Sequence, residues 1–283
     1  MNRLESLKNI ISYIRQLYIN EDFAEKVAKA IEEYIESNVG SMRISLEQSN
    51  EYIWEINSII NSITHDLHFY IAVHNDGGGP NQSGISMCTP HYIGISRLDG
   101  IGDVNNRREI TRAFDQLQDP VIMDLRGCRG GNSEAMLYIL SHLFEDGVPL
   151  IEVSNRTCPP VVLKSVSTIK HYGTEDTIKK YTGRLKVLIN NYTFSGGEII
   201  AKTLQTHKRA KIYGSPTVGM SGMTNIIQFD KLDLHIPNVK ITDAFSKEDL
   251  EQKGVIPDFG PMTKEYISTV FSELFGEIFS NYQ

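Results

Sequence analysis

Residues 186–201 read KVLINNYTFSGGEIIA. The β-formers Val187, Leu188 and Ile189 run into a polar turn that delivers Ser195, then Gly196, Gly197 and a helical pattern from Glu198. A strand, a tight corner and a helix in that order lift a serine hydroxyl to the mouth of a fold. The small residues after it let N–H groups of the helix start point at whatever the hydroxyl attacks, which suits acyl transfer. Serine before a helix is also a preferred N-cap, so this corner alone has two readings. A second corner of the same design bears on the choice. Residues 120–125 read as a buried strand, and RGCRGG at 126–131 is a glycine-rich turn before the helical run 133–144. On neighbouring strands, two such corners would aim two helix N-termini into one cleft.

A nucleophilic serine needs a group to take its proton. THDLHFYIAV at 64–73 reads as an apolar strand opening with two histidines, His65 and His68. His-x-x-His could be half a metal site, but no carboxylate or cysteine at ligand spacing completes it, so neither a metal nor another cofactor is expected. Cys88, Cys128 and Cys158 are odd in number and lack metal-ligand spacing; reduced thiols fit a cytosolic protein. The glycine-rich stretch 75–90, NDGGGPNQSGISMCTP, has no Gly-Lys-Ser/Thr and opens no helix, so it reads as a loop or flap rather than a phosphate cradle.

VIMDLRGCRGG resembles the hydrophobic-D-L-R-x-N-x-G-G signature of the carboxyl-terminal processing peptidases, serine peptidase family S41, which also includes tricorn-type peptidases and interphotoreceptor retinoid-binding protein modules. TFSGGE resembles that family's T-x-S-A-x-E nucleophile corner, and EQKGVIPD its E-x-x-G-V-x-P-D element. Asp66-x-His68 resembles its N-terminal histidine element, and the motifs occur in family order. The resemblance implies an α/β fold with a ClpP/crotonase-like ββα core. It also implies a serine peptidase acting on peptides or unfolded protein tails. Cys128 departs from the family's usual Asn, and packing is the role expected of it. Exported members take their base from a lysine in T-x-G-K-G; the matching stretch here is TVGMSG, with Met220 at the lysine position, and a thioether cannot accept that proton. Those members also insert a PDZ domain hereabouts, for which the stretch between His68 and the strand at Tyr92 is too short.

The tricorn-like and retinoid-binding-protein-like branch implies a different catalytic set: Ser195, His68 and Glu251, with Glu248 a lower-ranked neighbour. Ser195 would attack the scissile carbonyl, His68 would take its proton and return it to the leaving amine, and Glu251 would orient and stabilise the imidazolium. The oxyanion hole would come from the Gly196 N–H and from Gly130 or Gly131. Glu198, one helical turn past Ser195, is given a structural role. Two other functions compete with a peptidase. One is a non-catalytic ligand- or peptide-binding module like the retinoid-binding-protein repeats, which Met220 keeps open; the other is a crotonase-like acyl-CoA enzyme, for which no CoA-binding pattern is found.

Holding such a set takes a sizeable core, and 283 residues with 40% hydrophobic and 22% charged content supply one. A net charge of -7 without a basic block argues against a nucleic-acid partner. The N-terminus mixes charges into its apolar positions, and no run approaches the roughly 20 apolar residues of a membrane span, so a cytoplasmic protein without membrane contact is expected. Residues 3–18 carry Leu4, Leu7, Ile10, Ile11, Ile14 and Leu17 at helical spacing. A second helix follows Asn20 as N-cap, and a third begins near Ser45 and Gln48, which have capping-box spacing. The chain thus divides into an N-terminal three-helix bundle, 1–70, and an α/β catalytic core, 71–283. Within the core, strands are expected at 92–95, 149–153 and 210–214, a helix at 107–117, and a hairpin at 226–229 and 232–236. Residues 154–182 read as polar and irregular. A last helix at 264–279 would dock on the core or form a dimer surface, which leaves a homo-oligomer open.

Overall fold

The computed structural model describes residues 3–38, 40, 51–74, 84–171, 174–229 and 231–260. In chain order the elements are α1 (Arg3–Leu17), α2 (Glu21–Ser37), α3 (Glu51–Thr64), β1 (Tyr70–Val73), β2 (Ile85–Thr89), β3 (Tyr92–Ile95), α4 (Val104–Asp115), β4 (Val121–Asp124) and α5 (Ser133–Ser141). Then come β5 (Pro149–Ser154), β6 (Val161–Lys164), β7 (Thr168–His171), β8 (Thr174–Thr177), β9 (Leu185–Ile189), α6 (Gly196–Thr206), β10 (Lys211–Gly214), β11 (Met223–Phe229) and β12 (Leu232–Asp243). The capping box at Ser45 and Gln48, residues 75–83 of the glycine-rich loop and the helix at 264–279 lie outside the described residues.

Two compact units emerge. The first comprises Met1–Pro80, Ser154–Pro160 and Gly222–Lys240. Its helices bury the stripes that their spacing announces: Leu7, Ile10 and Ile14 from α1, Val27 and Ile31 from α2, Ile56 and Ile60 from α3. Asn20 caps α2 as expected, its side chain accepting the Phe23 N–H at 3.0 Å. The helical segment does not close its core alone. β1 and β11 flank β12 in antiparallel pairs, and Ile71, Leu234 and Ile236 join the same core. Three short helices with one apolar face each leave that face open unless a sheet covers it. The two histidines precede β1 rather than open it: residues 65–68 turn between α3 and the strand, with His65 at φ 53°.

The second unit comprises Asn81–Val153, Val161–Ser221 and Ile241–Gln283. Its sheet has the order β10-β9-β4-β3-β2, parallel throughout except for β2. All four residues of β4 are buried, which is why VIMD reads as a continuous apolar run rather than an alternating one. β4 and β9 pair in register, Met123 with Val187 and Asp124 with Leu188, so their carboxyl ends stop at the same level. Two readings are corrected here. Ile85–Thr89, read as part of a loop, is β2, antiparallel to β3; and 154–182, read as irregular, contains β6 paired with β5 and the hairpin β7–β8. β2 and β6 each pair on one side only and leave most residues half or fully exposed, so the apolar alternation that marks a strand never develops. Among the described residues no helix is long and apolar enough to cross a membrane.

One buried titratable group sets an expectation for acid stability. His142, at the end of α5, is stacked on Phe114 at 4.5 Å and edge-on to Tyr138 at 5.0 Å, with Nδ1 2.9 Å from the Lys179 carbonyl. Burial pushes its pKa down from 6.5 to about 4. As pH falls below 6.5 the unfolded chain takes up a proton that the folded chain refuses until about 4. Its stabilising contribution, about 3 kcal/mol, is therefore complete above that range and lost on descending through it. Thermal unfolding followed by circular dichroism should show Tm falling across this window, with a shallower fall in His142→Asn.

Candidate active site

The glycine corner after β4 and the serine corner after β9 are stitched together by the side chains of the turns themselves. Thr193 is fully buried; its hydroxyl donates to the Leu125 carbonyl at 2.7 Å. Phe194 N–H donates to the Cys128 carbonyl at 3.0 Å, and Gly127 N–H to Asn190 Oδ1 at 3.0 Å. Asp124 pins the first turn: Oδ1 accepts the Arg126 N–H at 2.9 Å while the guanidinium pairs with Oδ2 at 2.6 Å. Parallel strands ending level, followed by turns bonded to each other, put both corners at the carboxyl edge of the sheet, where α/β folds place ligands.

Ser195 is not built like the helix caps of the same chain. Asn20, Asp103 and Asn132 sit in extended backbone, at φ -100, -72 and -67°, and each side chain accepts an N–H of its helix. Ser195 has φ 57° and ψ -127°, a conformation that a non-glycine residue keeps only when its surroundings impose it. The Glu198 N–H donates to the Ser195 carbonyl at 2.9 Å. Beside the serine, Gly130 adopts φ +70°, and a Cβ placed there would lie 2.6 Å from Ser195 Cβ and 2.7 Å from Gly196 N. Only glycine lets the first corner approach the second this closely. Among the described residues neither the Gly196 nor the Gly131 N–H donates to a protein acceptor. Gly196 is buried at the first position of its helix, where an N–H has no intrahelical acceptor.

Glu198 imposes the serine conformation. It is fully buried, and its Oε2 accepts the N–H of Ser195 at 3.0 Å and of Met220 at 2.8 Å. Its Oε1 accepts the Gly219 N–H at 2.7 Å and the Thr217 hydroxyl at 2.5 Å. The structural role expected of Glu198 is thus a four-bond anchor between the serine corner and TVGMSG. That segment in turn carries EQKGVIPD: Val255 N–H donates to Thr217 Oγ1 at 2.7 Å and Gln252 N–H to the Gly219 carbonyl at 2.7 Å. One peptide group completes the chain of contacts. The carbonyl of Met220 accepts the Ser195 N–H at 2.8 Å, and the N–H on the same peptide, that of Ser221, donates to Glu251 Oε2 at 3.0 Å. Met220 holds the corner through its backbone, so the side chain at this position is dispensable for the architecture.

The second unit therefore brings together Ser195, Gly196, Gly130, Glu198 and, through one peptide, Glu251. Gly131 follows Gly130 in a bridge to Leu98. Glu248 is paired with Lys202 at 2.5 Å. Cys128 is buried against Gly197, whose added Cβ would meet Sγ at 3.0 Å; burial pushes its thiol up to about 11, with the Gly130 N–H opposing, so it packs rather than reacts. His68 lies in the first unit, part-buried, in the turn before β1. Its N–H donates to Asp66 Oδ1 at 2.9 Å, so the Asp-x-His spacing is a backbone turn of the Asx type. Sequence reasoning passed over Thr193, Asn190 and Thr217. The threonines of TFSGGE and TVGMSG were legible as letters of the motifs, but only the hydrogen bonds give them work.

Residues 91–260 match the model of peptidase family S41. A tail-specific protease of Haemophilus influenzae is 29% identical over 128 residues, 45% of this chain and 16% of that protein. The chain spans between 16% and 40% of the length of the curated relatives it matches. Among solved structures, a lipoprotein from Streptococcus agalactiae shares the fold with a TM-score of 0.64 at 16% identity, over 98% of this chain and 97% of that one. The tricorn protease shares it with a TM-score of 0.61 at 14% identity, over 96% of this chain and 37% of that one. With the glycine corner, the serine corner and both anchoring segments inside the matched range, the chain belongs to peptidase family S41.

Proposed function

We propose that this protein is a serine peptidase that cleaves peptides or unfolded protein tails through Ser195, His68 and Glu251. The observation that carries the reading is Ser195 itself, held at φ 57° beside an unclaimed Gly196 N–H. In the acylation step the Ser195 hydroxyl oxygen forms the bond to the scissile carbonyl carbon while His68 takes its proton. The tetrahedral oxyanion is received by the Gly196 N–H and by that of Gly130 or Gly131. The carbon–nitrogen bond then breaks and His68 returns the proton to the leaving amine; water, deprotonated by the same imidazole, releases the acyl group. Glu251 orients the imidazole and stabilises its charge. With Met220 at the lysine position, a serine–lysine dyad at this place is excluded.

Met220 also favours a second reading, a non-catalytic module that keeps the fold and binds a peptide or apolar ligand. A fluorophosphonate probe with mass-spectrometric site mapping separates the two. The peptidase labels at Ser195 and loses the label in Ser195→Ala and His68→Ala; a folded wild-type protein that takes no label is the binding module.

A further inference from the structure

The turn that carries His68 is built on a buried carboxylate to which the chemistry above gives no part. Asp66 is 7% exposed. Besides the His68 N–H on Oδ1, its Oδ2 accepts the Tyr18 hydroxyl at 3.2 Å. Its own N–H donates to Thr64 Oγ1 at 3.2 Å, and the Thr64 hydroxyl donates to the Ile60 carbonyl at 2.9 Å. Phe69 N–H closes the turn on the Asp66 carbonyl at 3.2 Å, and the Tyr18 ring lies 4.5 Å from the Phe69 ring. The Tyr18 carbonyl accepts from Arg156 at 3.2 Å, and that guanidinium also reaches the Arg15 carbonyl at 2.8 Å and Glu21 at 2.9 Å. The end of α1, the end of α3 and the approach to β1 thus meet at one carboxylate.

Burying a carboxylate is expensive, and burial raises the Asp66 pKa against the opposing effects of the His68 N–H, the His68 charge and the Tyr18 hydroxyl. An Asn or Ser would form a turn of this kind without a charge to bury. What only the aspartate adds is negative charge beside the histidine. We propose that Asp66, itself held by Tyr18, is the positioning residue of His68. It fixes the turn that presents the imidazole and raises the affinity of that imidazole for the proton it receives. This inference rests on His68 being the base.

Asp66→Asn keeps an oxygen acceptor for the His68 N–H and removes the charge. Tyr18→Phe keeps the ring packing and removes one donor. The readout is the second-order rate of fluorophosphonate labelling at Ser195 as a function of pH, for both variants and for His68→Ala. In Asp66→Asn the rate should fall about tenfold or more, and the acid limb of its pH profile should move to lower pH. Tyr18→Phe should move both in the same direction by less. An acid limb unmoved in both variants overturns the inference, whether the rate falls or not, because a merely structural carboxylate would leave it in place. His68→Ala labelling at the wild-type rate overturns the reading of His68 as base; His68→Ala without label beside unaltered Asp66→Asn and Tyr18→Phe overturns only the role of Asp66.

Discussion

Gly130→Ala is expected to lower the rate of Ser195 labelling, and of any peptide turnover, by about a hundredfold or more, the scale of losing one oxyanion donor. The new methyl would sit 2.6 Å from Ser195 Cβ, 2.7 Å from Gly196 N and 3.0 Å from Ser195 Oγ. Two of those three atoms are tied to the backbone of the serine corner and cannot swing aside as the tip of a long side chain could. The corners must separate, and the unclaimed Gly196 N–H moves away from the oxygen it would receive. Gly127→Ala is the control: its φ of +74° is equally unfavourable for alanine, yet nothing lies within 4 Å of the added Cβ. It should cost about 1 kcal/mol in stability and leave most of the labelling rate. Equal loss in both variants would mean that backbone strain, rather than the approach of the corners, governs the site.

The second large effect is expected from Glu198→Ala. Removing this side chain strands the N–H groups of Gly219 and Met220 and the Thr217 hydroxyl, and leaves the Ser195 N–H only its bond to the Met220 carbonyl. Leaving buried donors unsatisfied costs about 1–3 kcal/mol each, so a loss of about 3 kcal/mol or more is expected even after water enters. The strained serine then relaxes, since such a conformation persists only while its neighbours over-determine it. Thermal unfolding should show the drop in stability, and hydrogen exchange at Gly219 and Met220 should rise together with the loss of labelling. Glu198→Gln should fall between, because whichever way the amide is turned its nitrogen meets two donors. Wild-type labelling by a folded Glu198→Ala would show that the corner holds its shape without the anchor.

Legibility in the sequence followed the range of the interactions. The corners at 126–131 and 193–198 could be read because an apolar strand, a glycine- or serine-bearing turn and a helix start follow one another within a few residues. The helix stripes could be read for the same reason, period and face being local properties. β2 and β6 escaped notice because a strand paired on one side has neither face buried enough to force alternation. Thr193, Asn190 and Thr217 escaped because their partners lie far along the chain: Thr193 donates to Leu125, Asn190 accepts from Gly127, and Thr217 bonds both Glu198 and Val255.

By itself, then, the sequence determined which residue types could do acyl-transfer chemistry, the order of the motifs and the lysine that is absent from position 220. The α/β class was expected from the family resemblance that those motifs carry. The tertiary structure decided that Ser195, although it occupies the N-cap position, holds a left-handed backbone conformation unlike the extended one of the other caps, because that dihedral is held by Glu198 and the 220–221 peptide. It decided too that Glu251 reaches the serine corner through that single peptide group. A contact between residues so far apart leaves no periodic trace in the chain, because it exists only once the intervening strands and turns have packed.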